Sequence, residues 1–147
     1  MEEFMNEALR LARLAGKRGE VPIGAVVTKG EKIIARGYNC REKKQNALLH
    51  AEIVAISKAC KKLHSWRLDG CTLFVTLEPC PMCAGAILNA RMDKVVFGAY
   101  DAQSGFCTSN PSFLGGGVLN HKVEVVGGIK EEECKKIIQD FFRSKRK

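Results

Sequence analysis

Two short motifs that have to meet at one point place the strongest constraint on how this chain can fold. The first is His50-Ala51-Glu52, and the second is Pro79-Cys80-Pro81-Met82-Cys83. One imidazole and two thiols can hold a zinc ion and leave one coordination position open, which is typical of a catalytic rather than a structural zinc. The glutamate is then left over beside the metal, where a carboxylate can transfer protons. The predicted metal ligands are His50, Cys80 and Cys83, and the predicted catalytic residue is Glu52.

The local sequence around the cysteines favours this geometry. Pro81 suits the first position of a helix, where the missing N–H is not needed. Cys80 would then cap the helix and Cys83 would end its first turn, so that both sulfurs face one point. The positive end of the helix favours the thiolate form that binds metal. Because His50 is predicted to start another helix, two helix starts have to meet over one sheet.

Size and composition predict one domain over residues 1–147. The chain is 46% hydrophobic and 27% charged, which is sufficient for a hydrophobic core. It contains no apolar run long enough for a transmembrane helix. The first residues, Met1-Glu2-Glu3-Phe4, are acidic where a secretory signal would be basic, so we expect a cytoplasmic protein that does not associate with a membrane.

Most of the remaining cysteines and histidines are predicted to be structural. The chain has seven cysteines, an odd number, and only the pair in the second motif has ligand-like spacing, which argues against a disulfide framework. The predicted small buried hydrophobic residues are Cys60, Cys71, Cys107 and Cys134. His64 and His121 are predicted to lie at the surface or in loops.

Hydrophobic periodicity predicts the order α-β-β-α-β-α-β-β-α, a layered sheet with helices on its faces. Residues 101–120, which include Gly115-Gly116-Gly117, have no regular pattern and are predicted to form a functional loop. The predicted helices begin near Phe4, His50, Pro81 and Lys130, and the predicted strands cover residues 21–28, 33–38, 71–76, 94–100 and 122–126.

The net charge of +8 is partly concentrated in two clusters. One closes the chain, and the other follows the second predicted strand. Basic surfaces attract phosphate backbones, although the charge by itself is equally consistent with ordinary solubility. The clusters are Arg143, Lys145, Arg146 and Lys147 at the end of the chain, and Arg41, Lys43 and Lys44.

Taken together, these motifs resemble the bacterial tRNA-specific adenosine deaminases, a branch of the cytidine deaminase-like superfamily. The H-x-E and P-C-x-x-C pair is typical of zinc-dependent nucleobase deaminases. The Leu-Glu before the second motif and the Phe-Phe-Arg near the end indicate the tRNA branch. The segments that carry the resemblance are residues 21–26, 37–39, 50–52, 76–86, 95–99, 120–124 and 141–143.

The resemblance implies a three-layer α-β-α fold, with a central five-stranded mixed sheet and helices on both faces. It implies a homodimer with one Zn²⁺ per subunit. The implied reaction is hydrolysis of adenosine to inosine at the wobble position of a tRNA anticodon stem-loop, with release of ammonia. Glu52 would move protons from the attacking water to the ring nitrogen and to the leaving amine.

The resemblance also implies substrate contacts. Asn39 would contact the target base, which has to be splayed out of the anticodon loop. The residues that would line the pocket are Val21, Pro22, Gly24, Leu77 and Glu78. The residues of the basic tail that would bind RNA are Arg143, Lys145 and Arg146. The chain departs from the family pattern at Ala47-Leu48-Leu49 and at the bulky residues 105–109, and both segments are expected near the substrate.

Two other functions remain open at this point. A small-molecule deaminase acting on guanine, cytosine or a nucleotide would use the same zinc site, but it would gain little from the basic tail. A zinc-stabilised RNA-binding module without catalysis would have no need of Glu52.

Overall fold

The computed structural model describes residues 1–115 and 120–145. Gly116 and Gly117 of the predicted loop, and Arg146 and Lys147 of the basic tail, lie outside these ranges. The helices within them are α1 (Glu2–Lys17), α2 (Arg41–Lys44), α3 (Ala51–Leu63), α4 (Pro81–Asn89) and α5 (Glu131–Lys145). The strands are β1 (Gly24–Lys29), β2 (Lys32–Tyr38), β3 (Cys71–Leu77), β4 (Lys94–Ala99) and β5 (Glu124–Val126).

The strands form one five-stranded mixed sheet in the order β2-β1-β3-β4-β5. The strand β1 runs antiparallel to both β2 and β3, whereas β3 and β4, and β4 and β5, are parallel. Parallel neighbours need a crossover connection, and α4 provides the one between β3 and β4. The predicted five-stranded mixed sheet is confirmed.

Alternating residues of the central strands pack against helices on opposite faces of the sheet. Val26, Phe74 and Val96 share one buried cluster with residues of α1 and with Cys134 of α5. Their neighbours Val27, Val75 and others pack on the other face against α3 and α4. This alternation follows from the two-residue period of a strand and confirms helices on both faces.

Several element boundaries differ from the sequence-based expectation. The strand β1 starts at Gly24 rather than at Val21, because the preceding residues, including Pro22 with no N–H, leave the ladder. The short helix α2 was not expected. It buries no residue, so the hydrophobic pattern contains no signal for it, and Gln45 ends it in a left-handed conformation at φ 49°.

The remaining cysteines and histidines lie largely as expected. All seven cysteines are free. Cys71, Cys107 and Cys134 are buried as predicted, whereas Cys60 is only half-buried. His64 is exposed at the end of α3, and His121 lies half-buried in a loop with its Nε2 2.7 Å from the Met92 carbonyl oxygen. None of the helices described above has both the length and the apolar character to cross a membrane.

Candidate metal and catalytic centre

The three predicted metal ligands converge at one point. The Nδ1 atom of His50 lies 3.7 Å from the Cys80 sulfur and 3.6 Å from the Cys83 sulfur. All three ligand atoms lie within 4.8 Å of one another. Typical zinc–sulfur and zinc–nitrogen bond lengths in tetrahedral geometry place ligand atoms about 3.6 Å apart. The spacing and the chemistry of this donor set therefore fit a zinc ion.

The starts of two helices bring these ligands together. Cys80 is the N-cap of α4, with Pro81 at its first position, and it follows closely on the end of β3. His50 is the N-cap of α3. The strand β2 approaches the start of α3 so closely that a Cβ at Gly37 would lie 2.6 Å from the Ala51 oxygen and 2.7 Å from the Ala55 nitrogen. Only a glycine allows β2 to hold α3, and with it His50, in this place.

Hydrogen bonds within the cluster already favour one thiolate. The pKa of Cys80 falls to about 4, chiefly because the Cys83 thiol donates to its sulfur and secondarily because His50 does. The same hydrogen bond, together with burial, raises the pKa of Cys83. The hydrogen bond with Cys80 also raises the pKa of His50. The protons that these groups share are those that a divalent cation would displace on binding.

Glu52 lies buried beside the ligands. It belongs to the first turn of α3, and only 4% of the residue is exposed. Burial raises the pKa of its carboxyl group to about 7. Within the described part of the chain, its Oε1 atom is buried and has no hydrogen-bond partner. A buried carboxylate oxygen without a protein donor is expected where a substrate or a water completes the site. A pKa near neutrality suits a group that both accepts and donates protons.

Asn39 lies at the end of β2 and is 6% exposed. Its side-chain amide donates to the Val21 carbonyl oxygen at 3.3 Å, and its side-chain oxygen accepts the Arg41 N–H at 3.2 Å. Asn39 therefore links the segment before β1 to the start of α2. One amide proton and one lone pair remain for another partner.

Glu78 holds a loop, which the sequence analysis did not predict. The residue is 2% exposed, and its carboxylate accepts the N–H groups of residues 101, 107, 108 and 109. Burial opposes ionisation, but the hydrogen bonds from Ser109, Thr108 and Asp101 outweigh it and lower the pKa to about 2. A Cβ at Gly105 would overlap this carboxylate, so the loop closes on Glu78 because a glycine stands there. An isolated glutamate after a strand has no sequence pattern that reveals such a role.

The segment that departs from the family pattern at residues 105–109 lies over the cysteine motif. The Phe106 N–H donates to the Pro79 carbonyl oxygen at 2.8 Å. The Phe106 ring packs edge-on against Phe113, with ring centroids 5.2 Å apart. The other departure leaves Leu48 57% exposed, two residues before His50. Both segments therefore border the predicted centre.

A cavity of about 430 Å³ connects the predicted substrate pocket to the last helix. Its lining includes Val21 and Leu77 of the predicted pocket together with Tyr100 and with Phe142 of α5. Beside Leu77, the Gly24 N–H donates to the Thr76 hydroxyl at 3.3 Å, and Pro22 is buried. The basic end of α5 follows directly after Phe142, so it lies at the edge of this cavity. Arg143 is highly exposed, and Lys145 stands over the Phe141 ring.

Comparisons with known proteins agree with this geometry. The model of the MafB19-like deaminase family matches residues 1–146. The chain is 50% identical over 146 residues to the tRNA-specific adenosine deaminase of Bacillus subtilis (strain 168), covering 99% of this chain and 91% of that protein. A solved structure from a study of A-to-I editing by tRNA:A34 deaminases at the wobble position of transfer RNA is 42% identical. It superposes with a TM-score of 0.89 over 93% of this chain and 99% of its own.

A guanine deaminase from Bacillus subtilis is also similar, but over a shorter part of the chain. Its structure is 42% identical with a TM-score of 0.65, and the match covers 67% of this chain and 64% of that one. The match to the tRNA-specific proteins therefore extends over segments that the match to the guanine deaminase leaves out.

Proposed function

This chain belongs to the MafB19-like deaminases and to the bacterial tRNA-specific adenosine deaminases, and from that membership we propose that it converts adenosine to inosine at the wobble position of a tRNA anticodon. Water supplies the oxygen that ends on C6 of the base, and ammonia leaves. The observation that carries the proposal is the His50, Cys80 and Cys83 cluster with the unpartnered Oε1 atom of Glu52 beside it, in a chain that matches these deaminases over nearly its whole length.

We propose that His50, Cys80 and Cys83 hold one Zn²⁺ per chain. The spacing of their ligand atoms and the favoured thiolate at Cys80 support this assignment. A zinc ion at this site supplies the Lewis acidity that makes water a nucleophile near neutral pH. Three protein ligands leave the open position that such catalysis requires.

Glu52 moves the protons in this proposal. Its unpartnered oxygen accepts one proton from the attacking water and delivers it to N1 of the adenine. The carboxylate then accepts the proton of the new C6 hydroxyl group and delivers it to the amine, which leaves as ammonia while the C6 carbonyl forms. Because burial raises the pKa of Glu52 to about 7, both the acid and the base forms are accessible near neutral pH. Its burial also keeps bulk water from competing for these protons.

The target base enters between β2 and the loop after β3 in this proposal. Asn39 offers its remaining amide proton and lone pair to the base edge, and the segments at Val21, Pro22, Gly24 and Leu77 form the wall. Glu78 contributes by holding the loop of residues 101–109 in place rather than by an open carboxylate. A base in an anticodon loop reaches such a pocket only after leaving the stack.

A deamination assay tests the proposal directly. We expect the purified protein to form inosine in an anticodon stem-loop with adenosine at the wobble position, and to turn over free adenosine poorly. Guanine and cytidine are run beside the RNA. Turnover of either free compound equal to or better than that of the stem-loop would replace the RNA assignment with a small-molecule deaminase. If the protein binds RNA but deaminates no base, it is an RNA-binding module without catalysis.

We also propose that a second copy of the chain covers the outer face of α4. A groove of about 560 Å³ there is lined largely by apolar side chains, among them Leu48, Ile53 and Met82. Ile53 and Met82 are chain neighbours of Glu52 and Cys83. A partner subunit seated in the groove would therefore border the catalytic centre and could add to the RNA-binding surface.

A further inference from the structure

A second cavity, of about 490 Å³, lies apart from the one beside the predicted substrate pocket. It is formed where the end of α1, the short helix α2 and the outward side of α3 meet the edge strand β2. Four basic residues line it, and they come from three different helical segments: Arg18, Lys43, Lys44 and Lys58. Its volume is in the range of cavities that bind small ligands.

The charge of this cavity favours an anion. Its acidic lining residue, Glu20, is 2% exposed, and its two oxygens accept the backbone N–H groups of Glu42 at 3.0 Å and Lys43 at 2.8 Å. The Glu20 carboxylate is thereby used to anchor α2 and does not reach the four cations. Within the ranges that the structure covers, none of these four basic side chains forms an ion pair.

The floor of the cavity is apolar and aromatic. A ligand that consisted of a phosphate group alone would not require such a surface. Tyr38, Leu49 and Val54 line it. The Arg18 guanidinium stands over the Tyr38 ring, with its central carbon 5.4 Å from the ring centroid. Aromatic rings and guanidinium planes are the groups on which unstacked RNA bases stack. A cationic rim over such a floor fits a nucleotide, with its phosphate at the rim and its base inside.

One backbone hydrogen bond joins two residues that line the cavity and that are chain neighbours of residues of the proposed catalytic centre. The Cys40 N–H donates to the Leu49 carbonyl oxygen at 3.1 Å, and both residues line the cavity. Their chain neighbours are Asn39 and His50, which belong to the catalytic centre. A nucleotide in the cavity would therefore lie close to a base bound at Asn39.

We propose that this cavity binds a nucleotide of the RNA substrate that flanks the deaminated adenosine, with its phosphates on Lys43, Lys44 and Lys58. Four positive charges are more than one phosphate group requires, but they match the successive phosphates of a nucleic-acid chain. An RNA strand therefore fits the cavity better than a free mononucleotide does. The inference rests on the proposed function, because it takes the same RNA as ligand.

The test is a double substitution, Lys44→Gln with Lys58→Gln, measured with a fluorescein-labelled anticodon stem-loop. Both side chains are exposed, so the fold is expected to persist, and a thermal melt checks this. We expect the Kd to rise severalfold, and the slope of log Kd against log salt to fall by about 0.7 to 0.9 for each phosphate that the variant no longer neutralises. In deamination, KM should rise while kcat stays unchanged, because the lysines bind the phosphates equally in the ground and transition states.

The matched control is Lys29→Gln with Lys32→Gln, which removes the same charge at the far end of the β1–β2 hairpin. It should leave the Kd and the salt slope close to those of the unaltered protein. A second variant, Ser57→Trp, fills the cavity without changing its charge and should also weaken binding. Equal Kd values and equal slopes for the cavity variant and the control would overturn the proposal.

Two further arms separate the remaining outcomes. If 5′-AMP binds the unaltered protein but not the cavity variant, while both proteins bind the stem-loop with equal Kd, the cavity takes a free nucleotide and the RNA assignment is wrong. The proposed function has its own test: it is wrong if the unaltered protein forms no inosine in the stem-loop. The anisotropy measurement still decides in that case whether the cavity binds RNA, since it does not depend on turnover.

Discussion

At the scale of single residues, the candidate metal and catalytic centre is marked by side chains with unusual protonation or hydrogen bonding. A thiolate is favoured at Cys80, and the Glu52 carboxyl group is buried beside it with one oxygen unpartnered. Such arrangements cost stability unless a ligand completes them, so they mark a functional site. The neighbouring Glu78 is the opposite case, because its carboxylate is fully occupied by the protein itself.

The substitution Glu52→Gln separates catalysis from metal binding. It keeps the size of the side chain and removes its ability to accept a proton, so we expect deamination to fall by about 100-fold to 10,000-fold. The metal content, measured by mass spectrometry of the purified protein, should stay at one zinc per chain. Cys83→Ser is the comparison and should lose the metal together with the activity. Undiminished turnover by Glu52→Gln would remove this residue from the mechanism.

Glu78→Gln tests the positioning role of the buried carboxylate. Either orientation of the new amide points an NH₂ group at backbone N–H donors, so we expect the free energy of unfolding to fall by about 1 to 3 kcal/mol. Because the loop of residues 101–109 borders the pocket, KM for the stem-loop should rise more than kcat falls. Chemical denaturation and steady-state kinetics measure the two effects.

The control for Glu78→Gln is Ser109→Ala, which removes one of the donors to the carboxylate and leaves the others. It should give a smaller effect in the same direction. A Glu78→Gln variant that loses stability but keeps an unchanged KM would show that Glu78 stabilises the fold without positioning the pocket wall.

At the scale of elements, the helices reach the sheet through a few specific contacts. The carboxylate of Glu7 on α1 pairs with Arg10 at 2.7 Å and with Arg36 on β2 at 2.6 Å. The Glu7 side chain is 20% exposed, so this pair is partly shielded from solvent. The ion pair between Glu7 and Arg36 links α1 to β2, the edge strand that leads to Asn39.

The Glu7 contact predicts a pH-dependent effect. Hydrogen bonds from Arg10 and Arg36 lower the pKa of Glu7 to about 2, against an ordinary value of 4.5. A carboxylate with a lowered pKa stabilises the folded state fully above its unfolded pKa and loses that contribution as the pH falls towards 2. Glu7→Gln should therefore lower the free energy of unfolding at pH 7, and the difference should shrink between pH 4.5 and pH 2.

Urea denaturation of both proteins across that pH range measures the Glu7 effect. Glu3→Gln on the same helix is a suitable control, since Glu3 makes no ion pair within the described residues. A Glu7→Gln difference that stays constant with pH would mean that the ion pairs contribute nothing to stability.

At the scale of the whole molecule, the groove along α4 predicts association of two chains. A Cβ at Gly85 would meet no atom within 4 Å, so a larger side chain fits there without disturbing the monomer. An arginine is also a better helix former than glycine by somewhat under 1 kcal/mol. Gly85→Arg should therefore keep or raise the melting temperature while abolishing a dimer, as measured by size-exclusion chromatography with light scattering.

Gly85→Ala is the matched control and should still dimerise. An unaltered protein that is monomeric at every concentration, or a Gly85→Arg variant that remains a dimer, would move the subunit interface elsewhere or remove it.

The sequence by itself determined the layered α/β fold, and it predicted the cluster of candidate metal ligands and the carboxylate beside it. These features depend on local rules, namely ligand spacing, proline at a helix start, and the two-residue alternation of β1, β3 and β4 between the two helical layers. Sequence could also place Asn39 at a strand end. It could not decide whether that side chain caps a turn or faces a base, because both uses place an asparagine at the same position.

Only the tertiary structure decided the rest. The role of Glu78 depends on a loop that begins more than twenty residues later in the chain. The helix α2 forms because Glu20 captures its first N–H groups, and α2 itself has no hydrophobic pattern. The basic cavity combines cations from three separated segments. Each of these features depends on contacts between residues distant in sequence, and such contacts exist only after the chain has folded.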